Sequence, residues 1–138
     1  MAGNGVFVDR DILKSEVYRS LSYLARSVLL DFQSKCVWRK QGAKGNRNWV
    51  IWNNGEIIFT YDEAGKRGYS RSGFRDAIDE LVQNGFINIK RSGNGRCKGV
   101  VSLYSISDRW KSYGTANFIK KQREKDTRCA TRKKRVQV

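Results

Sequence analysis

TYDEAGKRGYSRSGFRDAIDELVQNGFINIKR, residues 60–91, holds two helix starts, a tight turn and a helix-to-strand junction in one unbroken run. Thr60 and Glu63 have the spacing of a capping box, in which a threonine oxygen accepts an otherwise unpaired N–H of the first turn. The helix they start is short, because Gly65 and Gly68 bracket Lys66-Arg67 and glycine ends helices at little cost. After the Gly68-Tyr69 turn, Ser70 or Ser72 caps a longer helix. Its Phe74, Ala77, Ile78, Leu81 and Val82 recur at the spacing of one buried stripe. Asn84-Gly85 supplies the stop, and Phe86–Arg91 reads as a strand.

Working outward, residues 92–99 (SGNGRCKG) form a polar loop and 100–106 (VVSLYSI) a returning strand, so a hairpin with a glycine-rich, basic tip is expected. Beyond lie Asp108-Arg109-Trp110-Lys111 and, from Gly114, a stretch with 9 basic and 2 acidic side chains and little apolar content. That composition predicts a flexible or loosely packed tail over 114–138. Upstream, Leu13 to Tyr18 suits a short helical lead-in. Leu21, Leu24, Ala25, Val28, Leu29 and Phe32 then mark an amphipathic helix from about Ser22 to Gln33, with Ser20 or Ser22 as cap. Residues 35–48 (KCVWRKQGAKGNRN) are basic and aperiodic and read as an exposed loop. Trp49–Trp52 and Glu56–Phe59 are β-prone runs about Asn53-Asn54-Gly55. They predict a small hairpin, or else the second run is only the short strand that opens the domain.

A short helix, a tight turn, a longer helix and a two-stranded hairpin, in that order, give a helix-turn-helix followed by a wing. The expected fold is α+β, mainly α: a winged helix-turn-helix of three helices plus a two- or three-stranded β-wing. It would occupy residues 1–113, with a lead-in over 1–20 and a basic insertion over 35–54.

The 138 residues carry 28 Lys and Arg against 13 Asp and Glu, a net charge of +15, and no histidine. Residues 1–90 hold 14 basic and 10 acidic side chains, residues 91–138 hold 14 and 3. Such an excess calls for an anionic partner, which offsets the self-repulsion. The lack of histidine removes the commonest general base and most transition-metal sites. The acidic residues are scattered, so neither an enzyme, a metal site, a cofactor nor a small-molecule substrate is expected. Cys36, Cys97 and Cys129 are odd in number and far apart, which argues against a disulfide framework. No run approaches a transmembrane helix and MAGNG at the start lacks the regions of a signal peptide, so a cytoplasmic protein without a membrane partner is the expectation.

The apolar stripe of the longer helix leaves Arg71, Ser72, Arg75, Asp76, Asp79 and Gln83 on the opposite face. Residues near the N-terminus of such a helix reach base edges in the major groove, so Tyr69, Ser70, Arg71, Ser72 and Arg75 are the candidate contacts. An arginine there can pair bidentately with guanine. In the wing, Arg91, Asn94, Arg96 and Lys98 would follow the phosphate backbone or the minor groove, adding affinity but little sequence information. Arg39, Lys40, Lys44 and Arg47 in the insertion, and Lys120, Lys121, Arg132, Lys133, Lys134 and Arg135 in the tail, are candidate backbone contacts. Asp76 and Asp79 read as a solvated face or as partners of Arg75. Trp38, Trp49, Trp52 and Trp110 suit core or rim packing better than stacking on single-stranded bases. Double-stranded DNA is the expected partner, with a homodimer as an open option. The alternative is a protein-docking domain whose basic tail binds nucleic acid without sequence preference.

Residues 53–93 and the segment SLYSISDRWKSYGT, residues 102–115, resemble the winged-helix proteins of bacterial phages, plasmids and other mobile elements, some of them replication initiators. The likeness spans about residues 15–115 and is most specific at Glu80–Ile87 and at Ser107–Thr115. It implies a winged fold and DNA binding, in transcription regulation or replication, and brings no catalytic residue with it.

Overall fold

The computed structural model describes residues 5–45, 48–91 and 101–122. It is an α+β arrangement of five α-helices, two small antiparallel two-stranded sheets and a 3-10 turn among these residues. The elements are α1 (Arg10–Lys14), α2 (Glu16–Arg19), α3 (Tyr23–Lys35), β1 (Trp38–Gln41), β2 (Asn48–Ile51), α4 (Tyr61–Lys66), α5 (Arg71–Gln83), β3 (Ile87–Arg91) and β4 (Leu103–Ile106). The 3-10 turn follows over Arg109–Ser112. The lead-in therefore forms two helical pieces, α1 and α2. Ser15 separates them: its hydroxyl caps α2 by accepting from Tyr18 N–H.

α3 and α5 form the centre of the fold. Ala25, Val28, Leu29 and Phe32 of α3 meet Phe74, Ala77, Ile78, Leu81 and Val82 of α5, all buried. Each large side chain enclosed in this way contributes about 1.5–3 kcal/mol. Phe59 joins the two halves, its ring 5.2 Å from that of Phe32 and 4.7 Å from that of Phe74. α3 is capped by Ser22 and not by Ser20, which closes α2 instead. The Glu80 carboxylate of α5 reinforces that cap, accepting from both the N–H and the hydroxyl of Ser22.

The stretch 35–48 departs from the expected loop. Its first half is β1, which pairs with β2 in register Trp38↔Ile51 to Gln41↔Asn48, and Trp52 N–H extends the pairing to Val37 O. The expected hairpin between Trp49–Trp52 and Glu56–Phe59 does not form: Trp49–Ile51 pairs with β1, while Ile57 bridges to Tyr104 of β4. Asn53 and Asn54 are clamps. Asn53 Oδ1 accepts from Val37 N–H and its amide donates to Lys35 O, closing the base of the ribbon. Asn54 Oδ1 accepts from Ile106 N–H and its amide donates to Ile106 O, so one side chain occupies both backbone groups on that edge of β4. The run 56–59 instead touches β4 through an Ile57–Tyr104 bridge, on the edge opposite β3. Phe32 packs against both Phe59 and Tyr104 of β4, and Phe59 packs against Phe74 in the first half of α5.

At the other end of α5, the Asn84-Gly85 stop holds. Gly85 has φ +89° and a Cβ there would lie 2.6 Å from Trp110 N, so the 3-10 turn can dock only on glycine. Trp110 stacks on Phe86 at 6.0 Å, and Trp110 N–H donates to Gly85 O. Glu80–Ile87 and Ser107–Thr115, distant in sequence, are in contact here.

Candidate nucleic-acid interface

Thr60 Oγ1 accepts from Glu63 N–H and starts α4, which runs through Gly65 and ends at Lys66. Gly68, at φ +97°, turns the chain. Ser70 Oγ accepts from Gly73 N–H and caps α5, whose first turn contains no acidic residue. The hinge between α4 and α5 is fixed by a polar lattice on α3. Arg67 donates to Asp31 Oδ1 at 2.8 Å and to Glu63 at 3.2 Å, and Lys35 pairs with the same Glu63 carboxylate. Burial pushes the Glu63 carboxyl up, but the Lys35 and Arg67 contacts outweigh it and leave the pKa below its ordinary value. Asp31 and Lys35 are one helical turn apart, so both ends of α4 are pinned to the last turns of α3.

Five residues were expected to meet bases. Tyr69 is committed elsewhere: its hydroxyl donates to Asp31, its ring stacks on Phe74 at 6.3 Å, and burial together with the Asp31 carboxylate lifts its pKa to about 12. Ser70 is exposed but serves as the cap. Arg71 is exposed, with its guanidinium 5.2 Å from the Tyr61 ring centre. Ser72 and Arg75 are exposed, and Arg75 has no hydrogen bond or ion pair among the described residues. Arg75 is thus not paired with Asp76 or Asp79; Asp76 stands on the exposed face and Asp79 is half-buried. Arg71, Ser72 and Arg75 are brought together on the outer face of the first half of α5.

In the β3–β4 hairpin, Arg91 is exposed and reaches across to Val101 O with both Nε and Nη2. Asn94, Arg96 and Lys98 lie outside the described residues, as do Arg47, Arg132, Lys133, Lys134 and Arg135. Lys44, Lys120 and Lys121 are exposed. In the β1–β2 ribbon, Arg39 lies over the Trp52 ring at 4.8 Å and Lys40 over Trp49 at 5.3 Å. The expectation that the tryptophans pack in the core or at its rim holds for Trp110, which is buried, and for Trp38, which is half-buried against Phe7. It fails for Trp49 and Trp52, exposed to 42% and 61%. They project because neither face of the ribbon is covered by a helix.

Three groups of functional weight escape a reading by sequence. One is the Asp31–Arg67–Glu63–Lys35 lattice, of which only the Glu63–Arg67 spacing of four residues is a visible signal. The second is Glu80, acting across the fold. The third is Arg109, whose guanidinium donates to Asn88 Oδ1 and to the carbonyls of Val82, Ile87 and Ile119, fastening the α5–β3 junction to the segment after the 3-10 turn. Burial lowers its pKa, and no carboxylate opposes it among these contacts.

Burial pushes the Cys36 thiol up to about 11, so it stays protonated near neutrality. Among the described residues no group of three or more His, Cys, Asp or Glu side chains is placed to hold a metal ion, and no helix is long and apolar enough to cross a membrane. Comparison with protein-family models, with curated proteins and with solved structures finds no match to this chain.

Proposed function

We propose that this chain binds double-stranded DNA as a small winged helix-turn-helix module, with α5 in the major groove and the β3–β4 hairpin on the flanking backbone. The observation that carries this reading is the division of charge around α5. Lys35 and Arg67, beside the hinge, are neutralised by Glu63 and Asp31. Arg71, Ser72 and Arg75, on the outer face, are not opposed by a carboxylate in any such pair, and the first turn of α5 carries no acid. Arg71 and Arg75 thus stay available to a partner on the outer face of the first half of the helix, with Asp76 the exposed carboxylate beside them. The major groove is about 12 Å wide and admits a helix of about 10–12 Å diameter. Ser70 holds the helix start in place while Tyr69 ties the hinge to α3, so the arginines emerge from a rigid support. Arg91, Lys120 and Lys121 suit phosphates, which add affinity without reading sequence. In this reading the chain is a binding module without catalytic centre or cofactor, a regulator or replication-associated protein of a mobile element that works on DNA in the bacterial cytoplasm.

Selection from randomised duplexes at about 150 mM salt, where nonspecific binding is weakened, tests it. The wild type should enrich a motif, and the symmetry of that motif reports whether two copies bind. Arg71→Ala and Arg75→Ala should each cost about 1–3 kcal/mol on the enriched site and relax preference at one position. Equal losses on every duplex would overturn the assignment of α5 as the reading helix.

A further inference from the structure

The β1–β2 ribbon enters the duplex reading only through Arg39, Lys40 and Lys44 as candidate backbone contacts, yet it concentrates features that neither this role nor the fold needs. We propose that it is a second binding site, which takes unpaired bases of a single-stranded nucleic acid by stacking on Trp49 and Trp52. Lys40 and Trp49 are direct cross-strand partners and share one face of the ribbon. Arg39 faces Val50, and Trp52 follows two residues on, so alternation puts this second pair on the opposite face. The cation-to-ring distances of 4.8 and 5.3 Å agree with that placement. Each face therefore offers an exposed indole with a cation beside it, one for a base and one for a phosphate.

The charge selects the occupant. No acidic residue occurs between Asp31 and Glu56, while Arg39, Lys40 and Lys44 are exposed. A second ribbon would bring like charges together, so self-association through this surface is disfavoured. A duplex presents base edges and not base faces in its grooves, leaving the indoles nothing to stack on. A lipid surface takes one face of an amphipathic element, whereas the aromatics here stand on both. Unpaired bases joined by phosphates satisfy both the flat rings and the charge.

The test is fluorescence anisotropy of a labelled oligo-dT strand with the full chain at about 150 mM salt, beside an abasic strand of the same length and an oligo-rU strand. The wild type should bind dT or rU more tightly than the abasic strand, and the tighter of the two identifies the sugar. Trp49→Ala/Trp52→Ala should weaken that binding by about 10-fold or more, down to the abasic level, while Trp49→Phe/Trp52→Phe retains most of it. Both tryptophans are exposed, so unchanged thermal unfolding verifies that the variants are folded. Equal affinity for dT, rU and abasic strands, or an alanine variant that binds as the wild type does, would overturn the proposal. So would tryptophan-dependent binding to phosphatidylserine vesicles without binding to either strand. The two readings fail separately: the alanine variant should keep the selected duplex motif, and Arg71→Ala/Arg75→Ala should keep its affinity for the single strand.

Discussion

The α3–α4–α5 hinge and the β1–β2 ribbon both set cations over aromatic rings, and they use the pairing in opposite ways. At the hinge, Lys35 and Arg67 lie 4.8 and 5.5 Å from the centre of Phe59, a ring that is itself buried, and their charged ends meet Glu63 and Asp31. In the ribbon, Arg39 and Lys40 lie at similar distances from Trp52 and Trp49, but the rings are exposed and neither cation forms an ion pair among the described residues. A cation over a ring adds more when the pair is desolvated, about 2 kcal/mol or more against about 0.5–1 kcal/mol when exposed. The same two residue types therefore hold the hinge together and leave the ribbon's groups open to a partner. What separates the cases is the enclosure of the ring and the supply of a counter-charge.

The largest loss is expected from Gly85→Ala, at the far end of the helix that the hinge holds. A Cβ would press within 2.6 Å of Trp110 N and 2.9 Å of Arg109 C at a φ of +89°. Loss of about 3 kcal/mol or more is expected in urea unfolding, because both strain and a backbone clash oppose it. Near-wild-type stability would show that the 3-10 turn is not needed to hold α5 in place.

Tyr69→Phe probes the hinge itself and should cost about 1.5–3 kcal/mol, the range for a hydrogen bond to a charged acceptor. Its pH dependence sharpens the point. The folded-state pKa of Tyr69 is raised to about 12 from an ordinary 10.0, so its contribution is complete below pH 10 and is lost as pH rises toward 12. The Phe variant should show a smaller fall over that window. Glu63 acts at the other extreme: its pKa is lowered from 4.5, so its contribution is present above that pH and is lost as pH falls through the depressed value. The smallest effect is expected in the ribbon, where Trp49→Ala should change stability by no more than about 0.5 kcal/mol, as surface substitutions do. A loss as large as that of Tyr69→Phe would erase the distinction between the two regions.

The stripes of α3 and α5, the Thr60 cap and the Asn84-Gly85 stop could be read in the sequence because each is a local pattern that the tertiary packing reinforces. The outer-face placement of Arg71, Ser72 and Arg75 follows from the stripe alone. The ribbon could not be read so. β1 is WRKQ, with one apolar residue in four, and its partner lies beyond a loop, so neither alternation nor a hydrophobic run marks it. Asn53-Asn54-Gly55 carries a strong turn signal, but the two amides are used over long distances, Asn54 reaching a residue 52 positions away. The hydrogen bond of Tyr69 is illegible for the same reason, since its partner Asp31 lies 38 positions earlier. Local chemistry locates helix ends well, whereas the direction of a polar side chain depends on what the fold brings beside it.

The amide of Asn54 has a further consequence. An unpaired strand margin is a template on which another chain can add itself, the first step toward ordered aggregates. By occupying both the N–H and the C=O of Ile106, a single side chain stands in for a neighbouring strand at the end of β4, beside the Ile57 bridge. It leaves no free pair of groups there for a stranger to copy. Copies of a chain held at high local concentration gain most from such a safeguard, because a covered strand edge gives a neighbour nothing to pair with.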